Sequence, residues 1–444
     1  MEIKVEMINR EVIKPSCPTP HHLRCFDLSL LDQLLPKIYI SVVIFYSHNP
    51  SDLPQFKAVD ISHRLKTSLS ETLCRFYPLA GRVKHNVSIE CNDVGVDYLE
   101  ARINCRLSDI LEQHPEQKML YHFLPKVTEP LDPSLEPLVL VQASFFDCGG
   151  LAIGVCFSHK VADLATTSMF INSWASAALA ASGEAVLTPE FCAASRIPPR
   201  IQHTWPSIAI TLANETTASR RYVFYAPKID ALKAKAASAN VPQPTRIEAV
   251  SSLIWKCAIT ASRSKHQFLL PSRLTQAVNI RERLTPPFPK NAFGNLWWFS
   301  GQETTDNEIQ LHRLVTELRK GKEAFSEDYA TKLYGDEAFS VASQDIKHLS
   351  NLFGSEGITH HIFISSWCRY PLYEADFGWG KPTWVTIGNN LMIKNCAFLM
   401  DTRDGSGIEA WITLSKEDMA LFEQEKDLLE YASFNPTVLD QIII

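Results

Sequence analysis

Two short strings in this chain carry side chains able to do chemistry. Ser158-His159-Lys160-Val161-Ala162-Asp163 sets an imidazole four residues ahead of a carboxylate, and Asp376-Phe377-Gly378-Trp379-Gly380 sets two glycines around a tryptophan, behind an acid and an aromatic ring. An imidazole accepts a proton near neutral pH, so His159 at a cleft can deprotonate a hydroxyl as that oxygen attacks an acyl carbon. The same histidine beside a helix-capping Asp163 also has a structural reading. Spacing alone does not separate the two, because the fourteen histidines of the chain give on the order of one His-x-x-x-Asp by chance. In the second string the glycines permit backbone angles closed to other residues, and Trp379 can fill the space they leave.

Two alternative chemistries fit poorly. A hydrolase dyad or triad needs a serine nucleophile, and no Gly-x-Ser-x-Gly elbow occurs in the sequence. A metal centre needs three or four ligands at productive spacing, which neither His21-His22 nor His360-His361 supplies to His159 and Asp163. No metal is expected. Direct attack on the acyl group, without an acyl-enzyme, remains the better fit.

The elements that must position these groups are legible in the hydrophobic pattern. Residues 37–46 read as a buried strand, and Ile61, Leu65, Leu69, Leu73 and Phe76 mark one face of an amphipathic helix. Residues 138–146 and 151–158 are aliphatic runs joined by Asp147-Cys148-Gly149-Gly150, a composition suited to a hairpin. The second run delivers the chain to His159. From 163 to 179 the period becomes helical, with Met169, Phe170, Trp174 and Ala178 on one buried face. His159 is therefore predicted at a strand-to-helix junction. Downstream, strands are expected at 221–225, 274–281, 362–368, 384–387, 397–401 and 408–414, and helices at 229–238 and 247–262. Irregular interleaving of the two favours α/β architecture with mixed sheets.

A chain of 444 residues exceeds one ordinary core. We expect an N-terminal domain over 1–190, a proline-containing crossover over 191–220 and a C-terminal domain over 221–444. A formal charge of −6 argues against nucleic acid as a partner. No apolar run is long enough to span a bilayer, and the N-terminus lacks the apolar core of a signal peptide, so the cytoplasm is the expected compartment. Eleven cysteines without paired short spacings are expected as free thiols.

Taken with Leu31-Asp32-Gln33, 76–82, Gln276-Ala277-Val278-Asn279-Ile280-Arg281 and Gly407-Ile408-Glu409-Ala410-Trp411, the two strings make the whole chain resemble the plant acyl-CoA-dependent acyltransferases of the BAHD family. The resemblance implies two chloramphenicol-acetyltransferase-like domains with a solvent channel between them, and His159 as a general base acting in a ternary complex. It implies a short-chain acyl-CoA as co-substrate, acetyl-CoA foremost, no permanently bound cofactor, a small-molecule alcohol as acceptor, and a monomer. Asp163 would turn from the substrate to pair with Arg281, and Asp376, Phe377, Gly378, Trp379 and Gly380 would hold the shape of the donor site. Asp376 is a candidate partner for a nearby arginine. Lys256 and Arg263 are candidates for the coenzyme A phosphates. Phe293-Gly294-Asn295-Leu296-Trp297-Trp298 reads as either acceptor-pocket lining or strand core. The family usually has glycine where this chain has Leu164, and some alkaloid-acetylating members also replace that glycine. That points toward alkaloid or terpenoid alcohols, with volatile esters or acyl sugars as alternative products. A non-catalytic binding partner, a class that commonly lacks the histidine, and a hydrolase that activates water are the rival readings.

Overall fold

The computed structural model describes residues 3–47, 58–126, 136–179, 187–202, 205–206, 214, 216–265, 270–324, 327–333, 335, 337–354, 360–388 and 393–439. The chain divides into two compact units. The first comprises Met1–Trp205, Phe288–Leu296 and Tyr370–Leu391; the second comprises Pro206–Pro287, Trp297–Arg369 and Met392–Ile444.

The first unit is built on a six-stranded mixed sheet, in the order Val5–Ile13, Val96–Ile103, Val139–Phe146, Leu151–Ser158, Tyr39–Tyr46 and Trp384–Ile387. Val96–Ile103 and Val139–Phe146 run parallel, and the other neighbours are antiparallel. Its three central strands, at 39–46, 139–146 and 151–158, are buried at every residue. Covered on both faces, they read as continuous apolar runs rather than alternating ones. The hairpin between the last two closes where Gly149 takes φ +85°, a conformation that disfavours any side chain. The Leu164–Leu179 helix is buried nearly all round. It packs beside Ala58–Arg75, with Trp174 Nε1 donating to Leu65 O at 3.0 Å.

The second unit has its own seven-stranded mixed sheet, in the order Trp297–Thr304, Ser272–Asn279, His360–Ser366, Cys396–Asp401, Ile408–Ser415, Thr217–Phe224 and Ser433–Phe434. The Arg246–Arg263 helix lies in its core through Val250, Leu253, Ile254, Trp255, Cys257 and Ala258. Its start is a capping box, in which Thr245 Oγ1 accepts from Glu248 N–H and Glu248 returns a bond to Thr245 N–H. No described helix is long and apolar enough to cross a membrane.

Two expectations are corrected here. The contiguous boundaries at 190 and 220 do not describe the units, because segments 288–296 and 370–391 return to the first one. The physical reason for the second return is a strand pairing: Trp384–Ile387 adds antiparallel to Tyr39–Tyr46, so Asp376–Gly380 precedes an edge strand of the first sheet. Within the expected crossover, 203–204, 207–213 and 215 lie outside the described residues. The cysteines are not all free thiols either: Cys17 and Cys74 form a disulfide with Cα atoms 5.9 Å apart. The fold brings the Val5–Ile13 exit beside the end of the Ala58–Arg75 helix, across a separation of 57 residues. Spacing along the chain does not reveal that proximity.

Candidate active site

The Leu151–Ser158 strand ends one residue before His159. His159 N–H donates to Ile38 O at 2.8 Å, and Val161 N–H closes a turn onto Ser158 O at 3.1 Å. The histidine is thus held at the strand end by backbone bonds before the chain enters the Leu164–Leu179 helix. Asp163 caps that helix, its Oδ1 accepting from Thr166 N–H at 2.9 Å. Its Oδ2 accepts from Leu296 N–H at 3.1 Å.

The ring itself is oriented by a neutral group. His159 Nδ1 lies 3.1 Å from Ala162 O. A carbonyl only accepts, so Nδ1 carries the proton and Nε2 is the basic nitrogen. Burial pushes the imidazole below its ordinary value of 6.5, against smaller opposing effects from the Ala162 carbonyl, the Asp163 charge and the Asn295 side chain. The ring is therefore a neutral base at neutral pH.

Asn295 and Asp32 complete the support, and neither was singled out individually in the sequence. Asn295 Nδ2 donates to His159 O and to Asp32 Oδ1, each at 2.8 Å, and Asn295 N–H donates to the same Asp32 oxygen at 2.8 Å. Ser29 N–H and Oγ–H donate to Asp32 Oδ2 at 2.9 and 2.6 Å. Burial raises the Asp32 carboxyl above its usual range, and these donors oppose it. Lys160, buried beside this network, donates to Gln33 O at 2.8 Å; burial lowers its ammonium to about 8, with Asp32 acting the other way. One residue upstream, Gly294 N–H donates to Thr166 Oγ1 and Thr166 Oγ–H is within reach of Gly294 O, both at 3.1 Å. The aromatic run at 293–298 therefore divides. Phe293 packs edge-on against Phe26 and Phe191, Asn295 serves the histidine loop, and Trp298 belongs to a strand of the second unit.

The pentapeptide is a tight turn around its own acid. Asp376 Oδ1 accepts from Gly378 N–H at 2.7 Å and from Gly380 N–H at 3.0 Å, both backbone donors of its own turn. Both glycines have positive φ, +102° and +98°. A Cβ on Gly378 would collide with the Arg64 guanidinium, whereas one on Gly380 would meet open space. Phe377 and Trp379 stack at 5.6 Å and both meet the Tyr46 ring edge-on. Phe377 also meets Trp174 at 4.9 Å, tying the turn to the helix that follows His159.

The other anticipated residues lie in the second unit. Arg281 is buried, and its backbone N–H donates to Asn279 Oδ1 at 3.0 Å. Lys256 is engaged by Asp427, and Arg263 Nη1 donates to Asn307 O at 3.2 Å. Among the described residues no group of three or more His, Cys, Asp or Glu is placed to hold a metal ion.

A model of the Transferase family matches residues 3–429. The BAHD acyltransferase BIA1 of Arabidopsis thaliana is 38% identical over 450 residues, covering 99% of this chain and all of that protein. Limonoid 7-O-acetyltransferase of Citrus sinensis is 36% identical over 459 residues, covering 98% and 99%. Among solved structures, vinorine synthase matches with a TM-score of 0.83 at 33% identity, covering 98% of this chain and 100% of that one.

Proposed function

This chain belongs to the BAHD acyltransferase family, enzymes that transfer acyl groups, and on that premise we propose that it moves acetyl from acetyl-CoA to a hydroxyl of a plant specialised metabolite, an alkaloid or terpenoid alcohol. The observation that carries the reading is the His159 ring: Nδ1–H committed to Ala162 O at 3.1 Å, with Nε2 left as the basic nitrogen. The acetyl group and the oxygen nucleophile are supported by the relative named a limonoid 7-O-acetyltransferase. Leu164, in place of the family's usual glycine, supports the alkaloid or terpenoid class.

In the proposed reaction Nε2 takes the hydroxyl proton as the acceptor oxygen bonds to the thioester carbon. Collapse of the tetrahedral intermediate breaks the carbon–sulfur bond, and the imidazolium returns the proton to the departing thiolate. The products are the ester and free coenzyme A, with no covalent enzyme intermediate. Positioning of both substrates against one imidazole supplies the rest of the rate. Asp163 is an anchor of the histidine loop on this reading, through Thr166 and Leu296, away from the reacting atoms. Lys256 and Arg263 serve the donor phosphates on this reading, and Lys256 would first have to leave Asp427. The proposal keeps the enzyme a cytosolic monomer.

Mass spectrometry of products from acetyl-CoA and a panel of alkaloid, terpenoid, aliphatic and sugar alcohols tests the reading. His159→Ala should lower turnover by about 10²–10⁴-fold with the fold retained. A folded His159→Ala enzyme with normal turnover would remove the base from the mechanism.

A further inference from the structure

Asn295 is completely buried, and its amide can take only one orientation. Its side chain donates to two acceptors, Asp32 Oδ1 and His159 O, each at 2.8 Å. The nitrogen must therefore face them, and the amide oxygen must face elsewhere. That oxygen, Oδ1, is buried with no hydrogen-bond partner among the described residues. Buried acceptors are seldom left in this state in a folded protein. The Asn295 side chain favours the protonated form of the imidazole.

We propose that Asn295, oriented by the buried Asp32 carboxylate, is a positioning residue that fixes His159 through its carbonyl and holds an amide oxygen ready for the imidazolium formed during turnover. The inference rests on the reading of His159 as the base. Three features of the geometry converge on it. Asp32 is itself immobilised by Ser29 and sits beside the Lys160 ammonium, so it is a fixed acceptor rather than a mobile one. Asn295 contributes both a backbone and a side-chain donor to the same Asp32 oxygen, which leaves its side chain little rotational freedom. The residues on either side are also clamped to the histidine loop, Gly294 to Thr166 and Leu296 to Asp163, so segment 294–296 moves with the base. A carbonyl oxygen near a resting imidazole contributes little. Once Nε2 has taken the proton, the ring is a cation in a buried site, and an oriented amide dipole stabilises it without reorganisation.

The test reads the imidazole directly, in the full chain without substrate. Nitrogen-15 NMR titration of histidine-labelled enzyme, with the signal assigned by loss in His159→Ala, gives the His159 pKa in wild type, Asn295→Ala, Asp32→Asn and the double variant. Asn295→Ala should lower that pKa by about 0.5 or more, because a partner of the charged form is removed. Asp32→Asn should lower it less, and the double variant should match Asn295→Ala, since Asp32 acts through Asn295. With acetyl-CoA and a responding alcohol, Asn295→Ala should lose roughly 10- to 100-fold in kcat, with KM for acetyl-CoA nearly unchanged. An unaltered His159 pKa in folded Asn295→Ala would overturn the proposal, as would additive shifts in the double variant. If Asn295→Ala does not fold, Asp32→Asn carries the same test, and an unaltered pKa there would likewise overturn it. Normal turnover by His159→Ala would defeat the base assignment instead, and the titration distinguishes that failure from this one.

Discussion

Replacing Asp163 by alanine separates an anchoring carboxylate from one that works on the imidazole. Its two oxygens accept from Thr166 N–H at 2.9 Å and Leu296 N–H at 3.1 Å. Alanine leaves both donors in a buried region with no acceptor, and at about 1–3 kcal/mol for each unsatisfied donor the loss is roughly 2–6 kcal/mol. The lost helix cap is already contained in that figure. Against a total stability of about 5–15 kcal/mol this is a large fraction, and a 4 kcal/mol loss corresponds to roughly 8–16 °C in Tm for a unit of this size. Asp163→Asn retains one acceptor and should fall between alanine and wild type. The assay pairs thermal unfolding by circular dichroism with acetyl-CoA turnover measured well below the lowered Tm. If the carboxylate only anchors, activity at low temperature should partly survive while Tm drops. A Tm lowered by less than about 2 °C together with complete loss of turnover would refute the reasoning and make Asp163 a partner of the base.

Three further outcomes follow from the geometry. Because burial holds the His159 imidazole below 6.5, the protonation that disables the base occurs at more acid pH, so the acid limb of kcat/KM should be centred below that value; a limb centred above it would contradict the assignment. Glu248 is buried, which by itself raises its carboxyl, but bonds from Arg319 and Thr245 and the Lys322 charge outweigh burial and hold it at about 2, against an ordinary 4.5. A depressed carboxyl stabilises the fold above its unfolded pKa, so about 3 kcal/mol is present above pH 4.5 and lost as pH falls toward 2, roughly 2 kcal/mol of it by pH 3. Urea unfolding of wild type and Glu248→Gln at pH 7 and pH 3 should differ in their pH dependence by that amount, and parallel losses would dismiss the linkage. Gly378→Ala and Gly380→Ala should be similarly damaging, since both positions hold positive φ, +102° and +98°, and the Arg64 guanidinium that a Cβ on Gly378 would meet is the end of a flexible side chain able to shift; a loss of about 1–3 kcal/mol is expected for each strained residue, and calorimetry that finds either substitution neutral would refute the strain.

Much of the scaffold around His159 was legible in the sequence because it is local. The aliphatic runs at 139–146 and 151–158 are strands buried on both faces, and the helical period after Asp163 is the Leu164–Leu179 helix. Trp384–Ile387 has the expected bounds. Strands whose pattern is mixed with charge escaped notice. Val5–Ile13 is an edge strand, mostly exposed, and Val96–Ile103 carries Asp97, Glu100 and Arg102 among its apolar residues. At the site, His159 and Asp163 announce themselves by type and spacing. The support from Asn295 does not, because it depends on a segment 136 residues away returning to the histidine. The same holds for the pentapeptide, whose place beside Trp174 and Tyr46 is fixed by a strand pairing and not by its own letters.

How the ring is held bears on why a histidine alone suffices for the proposed reaction. In a hydrolase triad a carboxylate at Nδ1 favours the imidazolium, which suits a base that must fully activate a serine. Here Nδ1 is bound by the neutral Ala162 carbonyl, and both carboxylates of the neighbourhood accept from other donors: Asp163 from Thr166 and Leu296, Asp32 from Ser29 and Asn295. Burial then leaves the imidazole less basic than usual. A weaker base accepts an alcohol proton only as the carbon–oxygen bond forms, because the free alkoxide lies far above it in basicity. The same weakness makes the imidazolium a better acid toward the departing thiolate. One group with a lowered pKa thus serves both proton transfers. That balance requires the ring to keep its tautomer and place, which is the work of the backbone bonds to Ile38 and Ala162 and of the Asn295 contact at the His159 carbonyl.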